Sequence, residues 1–507
     1  MTEQVETSPW WAAEPSAARY LDSVGTPQDA TPYLAALRRF AQRQPARFHA
    51  PAHKGGAGAD PALVALLPEA PLTLDVRAGV AGIDGGTGHT PLDQAEELAA
   101  AAYAAKRTWF LTNGASQGIH AACLAGTHPG QSVLVQRDSH VSVISGLVLS
   151  GARPSYLQPE FDPRSGLAIG VSPERLRAQL AANPNVTAVI LTAPSYFGGV
   201  GRIAECVDVA RMAGVVVIVD QSWGAHFGFH ERLPPSALQL GADIVVTSTH
   251  KSLGSLTQSA MLHLGHESPV PAEAIQRALT LVSSTSPSAL LRASLDIARR
   301  RAATEGATLL ERTLHLAEQV RRKLGAVPGC TVLGAGGSTT WDPLRVVVDL
   351  GGIDCHGLRL AAQLRHECDL HVALATRRHL VAVLGLQEPE EPLLRLGEEL
   401  ATRLTGLPRR LSVRPADPMV PVPGRVAVTP RCAYLASTET VDLPDATGRI
   451  AAATVCCYPP GTLLIAPGET VLPRAISAVL ELREAGHRIQ GLDDKARIHV
   501  VSAKANP

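Results

Sequence analysis

The sequence has no surplus of charge of either sign. Its 507 residues contain 46 lysines and arginines and 46 aspartates and glutamates, so the formal net charge at pH 7 is zero. Proteins that bind nucleic acids or anionic membranes usually have a basic surplus, and this chain lacks one. The composition therefore argues against both kinds of partner. A hydrophobic fraction of 45% with 18% charged residues is instead typical of a globular protein with large cores.

The chain also lacks the signals of secretion, membrane insertion and metal binding. No apolar run approaches the roughly 20 residues of a membrane span, and the N-terminus has neither the basic nor the apolar segment of a signal peptide. The eight cysteines include no Cys-x-x-Cys pair and no ligand-like spacing with histidines. This distribution indicates reduced, mostly buried thiols. We therefore predict a cytoplasmic protein without a structural metal site.

What the sequence has in abundance is an alternation of helical and strand-like segments from about Leu92 onward. The predicted helices there include Asp93–Lys106, Ser116–Thr127, Pro173–Ala182 and Ile203–Met212, and a separate helix, Tyr33–Gln44, is predicted before them. The predicted strands are Thr108–Thr112, Ser132–Gln136, Val186–Thr192, Val215–Asp220 and Asp243–Ser248. Short β-branched runs that alternate with helices favour an α/β fold with a mainly parallel sheet covered on both faces.

The length suits about three domains, and the pattern changes after the predicted sheet. A long helical pattern at Pro287–Val320 indicates a connecting helix, and Val346–Leu350 with a helix at His356–His366 opens a smaller α/β unit. Leu407–Pro423 is rich in proline and is the clearest linker. We therefore predict an N-terminal arm and helix (1–50), a large domain (51–300), a small α/β domain (301–410) and a C-terminal domain (411–507).

Two of the predicted strands lead into ionisable residues. The run VVVIVD ends in Asp220, and the run ADIVVTSTHK ends in Lys251. Open α/β sheets bind ligands at the carboxyl ends of their strands, so we expect the two side chains to meet at one site. This pair suits a pyridoxal phosphate enzyme, because the lysine forms a Schiff base and the carboxylate keeps a proton on the pyridine nitrogen. Lys251 and Asp220 are therefore predicted to be catalytic, with pyridoxal 5'-phosphate as the cofactor.

A cofactor phosphate needs donors of its own, and two segments offer them. The turn TNGASQG joins a predicted strand to a helix, so Gly114, Ala115 and Ser116 bring backbone N–H groups and a hydroxyl to a helix N-terminus. Ser248 and His250 are polar groups close to the lysine and also suit a phosphate. No Gly-x-Gly-x-x-Gly motif follows a strand, so the sequence does not predict a dinucleotide site.

Other histidines are candidates for cofactor, proton-transfer or metal roles. His140 follows a predicted strand, and its imidazole is a candidate to stack on the pyridine ring. His250, like the neighbouring lysine, is a candidate to return a proton to the substrate Cα. His226 and His230 have the i,i+4 spacing of a zinc pair, but no third ligand is evident nearby. We therefore predict a stacking histidine and no zinc site.

Together these motifs resemble those of the ornithine, lysine and arginine decarboxylases, a family of fold-type-I pyridoxal phosphate enzymes. The similar segments begin near Thr31 and include FHAPAHKG (Phe48–Gly55), GID (Gly82–Asp84), APSYFG (Ala193–Gly198), DQSWGAHF (Asp220–Phe227), STHKSL (Ser248–Leu253), STSPS (Ser284–Ser288) and YPPGTLLIAPGE (Tyr458–Glu469). Aminotransferases share the lysine and the aspartate but lack the last motif. The resemblance implies a mostly parallel large domain with smaller C-terminal α/β domains. It also implies decarboxylation of a basic amino acid to an amine and CO2, as in polyamine biosynthesis.

The resemblance also implies a role for each matching residue. Lys251 is then the Schiff-base lysine, Asp220 the partner of the pyridinium, and His140 the ring-stacking histidine. The other implied cofactor contacts are Gly114, Ala115, Ser116, Ser222, Ser248 and His250. The STSPS segment comes from the neighbouring subunit in this family, so Ser284 or Thr285 completes the neighbour's phosphate site and the smallest functional unit is a homodimer. We also expect the chain to be a short form without a receiver-like N-terminal domain.

Departures from the family pattern leave the substrate and the reaction open. Ser222 and Trp223 stand where many relatives have Ala-His, and Val141 stands where relatives usually have lysine. A basic substrate needs an acidic or carbonyl-rich pocket, for which Glu469 is the one candidate we name. The lysine–aspartate pair also serves transamination or oxidative deamination of a basic amino acid. A non-catalytic regulatory homologue is the remaining alternative.

Overall fold

The structure is a computed structural model that describes residues 27–67, 69–334, 341–410, 421–458 and 461–503. The predicted N-terminal arm up to residue 26 and most of the predicted linker Leu407–Pro423 lie outside these ranges. Within the described ranges, no helix is both long and apolar enough to cross a membrane.

A seven-stranded sheet lies at the centre of the larger part of the chain. The first nine strands are β1 (Arg107–Leu111), β2 (Ser132–Gln136), β3 (Arg153–Leu157), β4 (Glu160–Phe161), β5 (Ala168–Gly170), β6 (Val186–Thr192), β7 (Val216–Asp220), β8 (Ile244–Thr247) and β9 (Ala260–Leu264). Strands β4 and β5 form a separate hairpin, and the others are ordered β1-β9-β8-β7-β6-β2-β3. Only β9 runs against its neighbours in this sheet. The prediction of a mainly parallel α/β sheet is confirmed.

Helices pack around this sheet. The first ten are α1 (Pro32–Gln42), α2 (Pro61–Leu66), α3 (Glu69–Leu74), α4 (Pro91–Ala102), α5 (Gly114–Gly126), α6 (Val141–Ser150), α7 (Pro173–Ala182), α8 (Ile203–Met212), α9 (Thr249–Ser252) and α10 (Ala272–Val282). Helix α4 begins two residues earlier than predicted, because Thr90 and Asp93 form a capping box that includes Pro91 in the first turn. Helix α5 lies very close to the sheet, since a Cβ on Gly118 would be 2.8 Å from side-chain carbons of Leu111 and Val246.

The burial of strand β7 explains why Asp220 lies at the carboxyl edge of the sheet. Val217, Ile218 and Val219 are fully buried. Val217 and Val219 belong to one hydrophobic cluster and Ile218 belongs to another, so both faces of the strand are covered. A strand buried on both faces is a continuous apolar run, and its first polar side chain appears at its carboxyl end. That side chain is Asp220.

A long helix leads from the large sheet to a second, antiparallel one. The elements are α11 (Ala289–Gly325), β10 (Thr331–Leu333), β11 (Arg345–Asp349), α12 (Gly357–Cys368), β12 (Leu374–Ala375), β13 (His379–Val383) and α13 (Glu390–Leu404), with strand order β10-β11-β13-β12. The predicted connecting helix and the predicted strand Val346–Leu350 are both present with slightly shifted ends.

The last part of the chain has small sheets and a core of its own. Its elements are α14 (Pro430–Leu435), β14 (Thr438–Asp442), β15 (Val455–Tyr458), β16 (Thr462–Ile465), α15 (Pro473–Glu484), β17 (Arg488–Gln490) and β18 (Arg497–Val501). Leu463 and Ala466 pack into the hydrophobic cluster of the large sheet, and His140 and Thr462 form an isolated β-bridge. The C-terminal part is therefore docked on the carboxyl edge of the large sheet.

Candidate functional site

A cavity of about 290 Å³ opens at the carboxyl ends of the parallel strands. The predicted residues that line it are Gly114, Ala115, Ser116, His140, Asp220, Ser222, Ser248, His250 and Lys251. The β4–β5 hairpin, the segment after β6 and the C-terminal part supply further walls of this cavity. Ser284 and Thr285 do not line it; they are exposed in the connection between α10 and α11.

Lys251 lies on the short helix α9, directly after β8. Its Nζ is 3.8 Å from the centroid of the Trp223 ring, within cation–π distance. Burial lowers the pKa of Lys251 to about 8, the Asp220 carboxylate raises it and the Arg345 guanidinium lowers it. A lysine with this pKa is partly neutral near pH 7.5, as exchange with another amine requires.

Asp220 is 3% exposed at the end of β7. Its Oδ1 accepts hydrogen bonds from the Ser222 backbone N–H at 3.0 Å and from the Ser222 hydroxyl at 2.5 Å. A buried carboxylate that accepts two hydrogen bonds on one oxygen is held in a single orientation. Asp220 therefore presents its carboxyl group to the cavity in one orientation.

His140 is the N-cap of α6, and its ring is held on two sides. Its Nδ1 accepts the Ser142 backbone N–H at 3.1 Å, which places the ring proton on Nε2 when the imidazole is neutral. Burial lowers the pKa of His140, Asp220 raises it and Lys251 lowers it. Gly461 packs against the ring so closely that a Cβ there would lie 2.8 Å from the His140 Cδ2. The histidine is therefore a neutral, clamped ring at the cavity wall.

The predicted phosphate donors surround one end of the cavity. Gly114 has φ +70° and begins α5, so the helix N-terminus opens toward Ala115 and Ser116. Ser248 is the N-cap of α9, and its side chain makes no capping hydrogen bond there. His250 differs from the expectation, because its Nδ1 is 2.8 Å from the Ser259 carbonyl oxygen and donates to it. Only a protonated His250 can then donate to a phosphate, through Nε2.

Several cavity residues were not singled out as site residues by the sequence. Tyr196, Trp223 and Tyr458 add aromatic walls, and the Tyr196 ring meets the Trp223 ring edge-to-face at 4.9 Å. All three lie inside motifs that were recognised, but a motif does not tell which of its side chains faces the cavity. Asp138 is the only other carboxyl group among the described lining residues besides Asp220. Burial raises the pKa of Asp138.

Glu469 does not line the cavity, so the suggestion that it binds a basic side chain is wrong. It is 2% exposed, and its two oxygens accept hydrogen bonds from Arg137 at 2.5 and 3.0 Å. Arg137 Nη2 also donates to the Leu464 carbonyl oxygen at 2.8 Å. Glu469 thus fastens the C-terminal part to the end of β2, three residues before His140.

His226 and His230, which have the i,i+4 spacing of a zinc pair, contact different carboxylates. His226 Nε2 is 3.0 Å from Asp342 Oδ1 and both side chains are fully buried, whereas His230 contacts Glu311 on α11. Among the described residues, no group of three or more His, Cys, Asp or Glu side chains is arranged to hold a metal ion.

The lowered pKa of Lys251 predicts a pH dependence for the amine in cofactor-depleted protein. A free lysine titrates near 10.5, and Lys251 titrates near 8, so at pH 7.5 its neutral fraction is larger by roughly two hundredfold. Imine formation with added pyridoxal phosphate should therefore rise through pH 8 and level off above pH 9. Stopped-flow absorbance measures this rate, and peptide mapping after borohydride reduction compares Lys251 with the exposed Lys106. A rate that still climbs steeply at pH 10 contradicts the prediction.

Sequence comparison relates the chain to one family. The profile described as Orn/Lys/Arg decarboxylase, major domain, matches residues 31–350, and that described as Orn/Lys/Arg decarboxylase, C-terminal domain, matches residues 420–499. The chain is 34% identical over 483 residues to the arginine decarboxylase of Bacillus subtilis (strain 168), which covers 94% of this chain and 98% of the relative. It is 33% identical over 476 residues to the arginine decarboxylase of Bacillus anthracis, with coverages of 92% and 95%.

Solved structures share the fold. The lysine decarboxylase LdcF of Francisella novicida superposes with a TM-score of 0.79 at 19% identity, over 93% of this chain and 81% of the other. Lysine decarboxylase A from Pseudomonas aeruginosa superposes with a TM-score of 0.79 at 21% identity, over 93% and 80%. The arrangement of the large sheet, the second sheet and the C-terminal part is thus that of a known architecture.

Proposed function

Because this chain belongs to the Orn/Lys/Arg decarboxylase family and therefore decarboxylates a basic amino acid, we propose that the amino acid is arginine and that the cofactor is pyridoxal 5'-phosphate. The observation that carries the proposal is the convergence of Lys251, Asp220 and a neutral His140 on one cavity. Two of the arginine decarboxylases to which the chain is similar align over more than nine tenths of it and support the choice of substrate.

The cavity residues fit the proposed cofactor at three places. The N-terminus of α5 and the Ser248 hydroxyl offer donors for a phosphate. The Asp220 carboxylate, held by Ser222, suits the N–H of a pyridinium. The imidazole ring of His140, held in place by Gly461, offers a flat aromatic face on which the pyridine ring can stack. When bound, pyridoxal phosphate supplies an electron sink for the pair left on Cα as CO2 departs.

The chain's own groups then bind the substrate and move its protons. Lys251 would hold the cofactor, and once the substrate had displaced the lysine amine, that amine would take up a proton and be free to return it to Cα. His250 is the second candidate for that proton in its protonated form, since its Nδ1–H donates to Ser259 and its Nε2 is left for the cavity. Asp220 would accept a hydrogen bond from the pyridinium N–H throughout, because Ser222 fixes the orientation of its carboxyl group.

The aromatic residues that line the cavity favour a substrate with a planar, cationic side chain. Tyr196 and Tyr458 both line the cavity. A guanidinium stacks on such rings and is more weakly hydrated than an ammonium, so arginine gains more from these walls than lysine or ornithine does. Asp138 is the one further carboxyl group available to it among the described lining residues.

We also propose that the active form is a cytoplasmic homodimer. Ser284 and Thr285 are exposed and lie outside their own cavity, so they are free to complete the phosphate site of a second copy. The division into 1–50, 51–300, 301–410 and 411–507 is part of the same proposal. The family profiles support a separate C-terminal domain, since one ends at residue 350 and the other begins at residue 420.

The test is to incubate the purified protein and pyridoxal phosphate with equal concentrations of arginine, lysine and ornithine. We expect CO2 and 4-guanidinobutylamine from arginine, with kcat/KM about tenfold or more above that for the other two. Mass spectrometry identifies the products. A keto acid as the main product contradicts decarboxylation and favours transamination or oxidative deamination. Bound cofactor without any product favours the non-catalytic alternative.

A further inference from the structure

A buried arginine lies behind the cavity wall with part of its hydrogen-bonding capacity unused. Arg345 begins β11 and is 1% exposed. Its Nη2 donates to the Trp223 carbonyl oxygen at 3.1 Å, and its Nη1 forms an ion pair with Asp342 Oδ2 at 3.4 Å that includes no hydrogen bond. Its Nε also makes no hydrogen bond. Buried donors that lack partners are costly, so this guanidinium would bind an anion that reached it.

The Trp223 indole contacts both the lysine amine of the cavity and this guanidinium. Lys251 Nζ is 3.8 Å from the centroid of the indole, and the Arg345 Cζ is 4.9 Å from the same centroid. Trp223 lines the cavity, whereas Arg345 does not. The indole is itself held in place by the edge-to-face contact with Tyr196. Of these two residues only Trp223 reaches the cavity, and it does so beside the lysine amine.

The position of the indole matters because the substrate replaces the lysine amine. If the α-amino nitrogen of the substrate took the place of Nζ, which lies 3.8 Å from the Trp223 ring centroid, the α-carboxylate would lie within a few ångströms of that ring. An uncovered guanidinium there would form a two-point ion pair with that carboxylate. Such a pair stabilises the charged carboxylate, whereas an apolar wall leaves it poorly solvated and favours its departure as neutral CO2.

We propose that Trp223 determines reaction specificity by screening Arg345 from the α-carboxylate of the substrate, an inference that rests on the proposed function. In decarboxylation the Cα–carboxyl bond breaks, CO2 leaves, and Cα receives a proton. In the competing reaction the Cα–H bond would break, Lys251 would take the proton and pass it to the former aldehyde carbon of the cofactor, and water would then release the α-keto acid while the amino group stayed on the cofactor. The Trp223 indole favours decarboxylation because it prevents Arg345 from forming an ion pair that would stabilise the α-carboxylate.

Binding to the full-length enzyme tests the screen without catalysis. The probe is 5-guanidinopentanoate, which is arginine without its α-amino group, and the control ligand is its uncharged primary amide. Calorimetry of the holoenzyme gives the ratio of the affinity for the carboxylate to the affinity for the amide. This ratio should be about tenfold higher in Trp223→Ala than in wild type. Trp223→Phe keeps a ring over Arg345 and should stay close to wild type. The double variant Trp223→Ala with Arg345→Gln should lose the gain.

Product analysis gives the second readout. Wild type should form almost only amine from the substrate, and Trp223→Ala should raise the ratio of keto acid to amine by about tenfold or more. Trp223→Leu serves as a replacement if the alanine variant does not fold. The inference is overturned if neither variant gains carboxylate affinity, or if the gain persists without Arg345. A wild type that forms no amine from any basic amino acid would instead refute the proposed function, so the two failures are distinguishable.

Discussion

Replacing Lys251 by alanine is expected to lower kcat by about a thousandfold or more. The covalent link to the cofactor and the amine that exchanges with substrate are lost together. The absorbance band of the lysine-bound cofactor, near ~420 nm, should disappear as well. The cofactor itself should still bind, because Asp220 and the N-terminus of α5 are unchanged. Equilibrium dialysis measures that remaining, noncovalent binding.

A matched lysine variant separates this effect from a general loss of charge. Lys106 is exposed just before β1 and does not line the cavity. Lys106→Ala should therefore keep both the absorbance band and the activity. The prediction for Lys251 fails if wild type saturated with cofactor has no such band, or if Lys251→Ala retains it.

The same variant tests whether two subunits share a site. Ser284→Glu places a negative charge where the neighbour's cofactor phosphate is proposed to bind, so this variant alone should lose the cofactor. In a mixed dimer of Lys251→Ala and Ser284→Glu chains, one of the two sites is intact. Random assortment then restores about a quarter of the wild-type activity. No recovery on co-expression contradicts a shared site.

Breaking the buried pair between Arg137 and Glu469 is expected to cost about 3–5 kcal/mol in the free energy of unfolding. The two side chains are 1% and 2% exposed, so removing one charge leaves the other buried without a counter-ion. Burial raises the pKa of Glu469 more than the neighbouring Arg137 lowers it. The ion pair therefore offsets only part of the cost of removing the Glu469 carboxylate from water. Glu469→Leu followed by urea unfolding measures the effect.

A double variant and a surface pair are the controls for this prediction. Arg137→Met combined with Glu469→Leu replaces both charges with apolar groups and should recover most of the lost stability. The Lys323–Glu398 pair has a similar N···O distance of 2.8 Å, but both side chains are about half exposed. Lys323→Met should cost less than about 1 kcal/mol. Equal losses at the buried and the exposed pair would refute the argument from burial.

The strand ends were predictable from the sequence because their information is local. Runs such as VVVIVD are recognisable as buried strands, and a polar residue at the end of such a run must face the carboxyl edge of the sheet. Asp220 and Lys251 therefore reach the cavity as expected. Gly114 was recognisable for a similar reason, since a strand-to-helix turn with a positive φ favours glycine.

The contacts that the sequence did not reveal join distant segments. Glu469 accepts from Arg137, which is 332 residues away, and nothing near Glu469 indicates that its carboxylate turns inward. Arg345 bonds to Trp223 across 122 residues. Only the packing of the second sheet and the C-terminal part on the large sheet decides such pairs, and residue type alone does not encode that packing.

The C-terminal part also sets the time at which a new chain acquires its site. Gly461 and Thr462 close the cavity over His140, about 210 residues after Lys251 has been synthesised. At the usual rate of translation this interval lasts about 10–40 s. A nascent chain therefore carries its reactive lysine on the ribosome well before the wall that clamps the histidine exists. The proposed cofactor site is therefore complete only late in the synthesis of the chain.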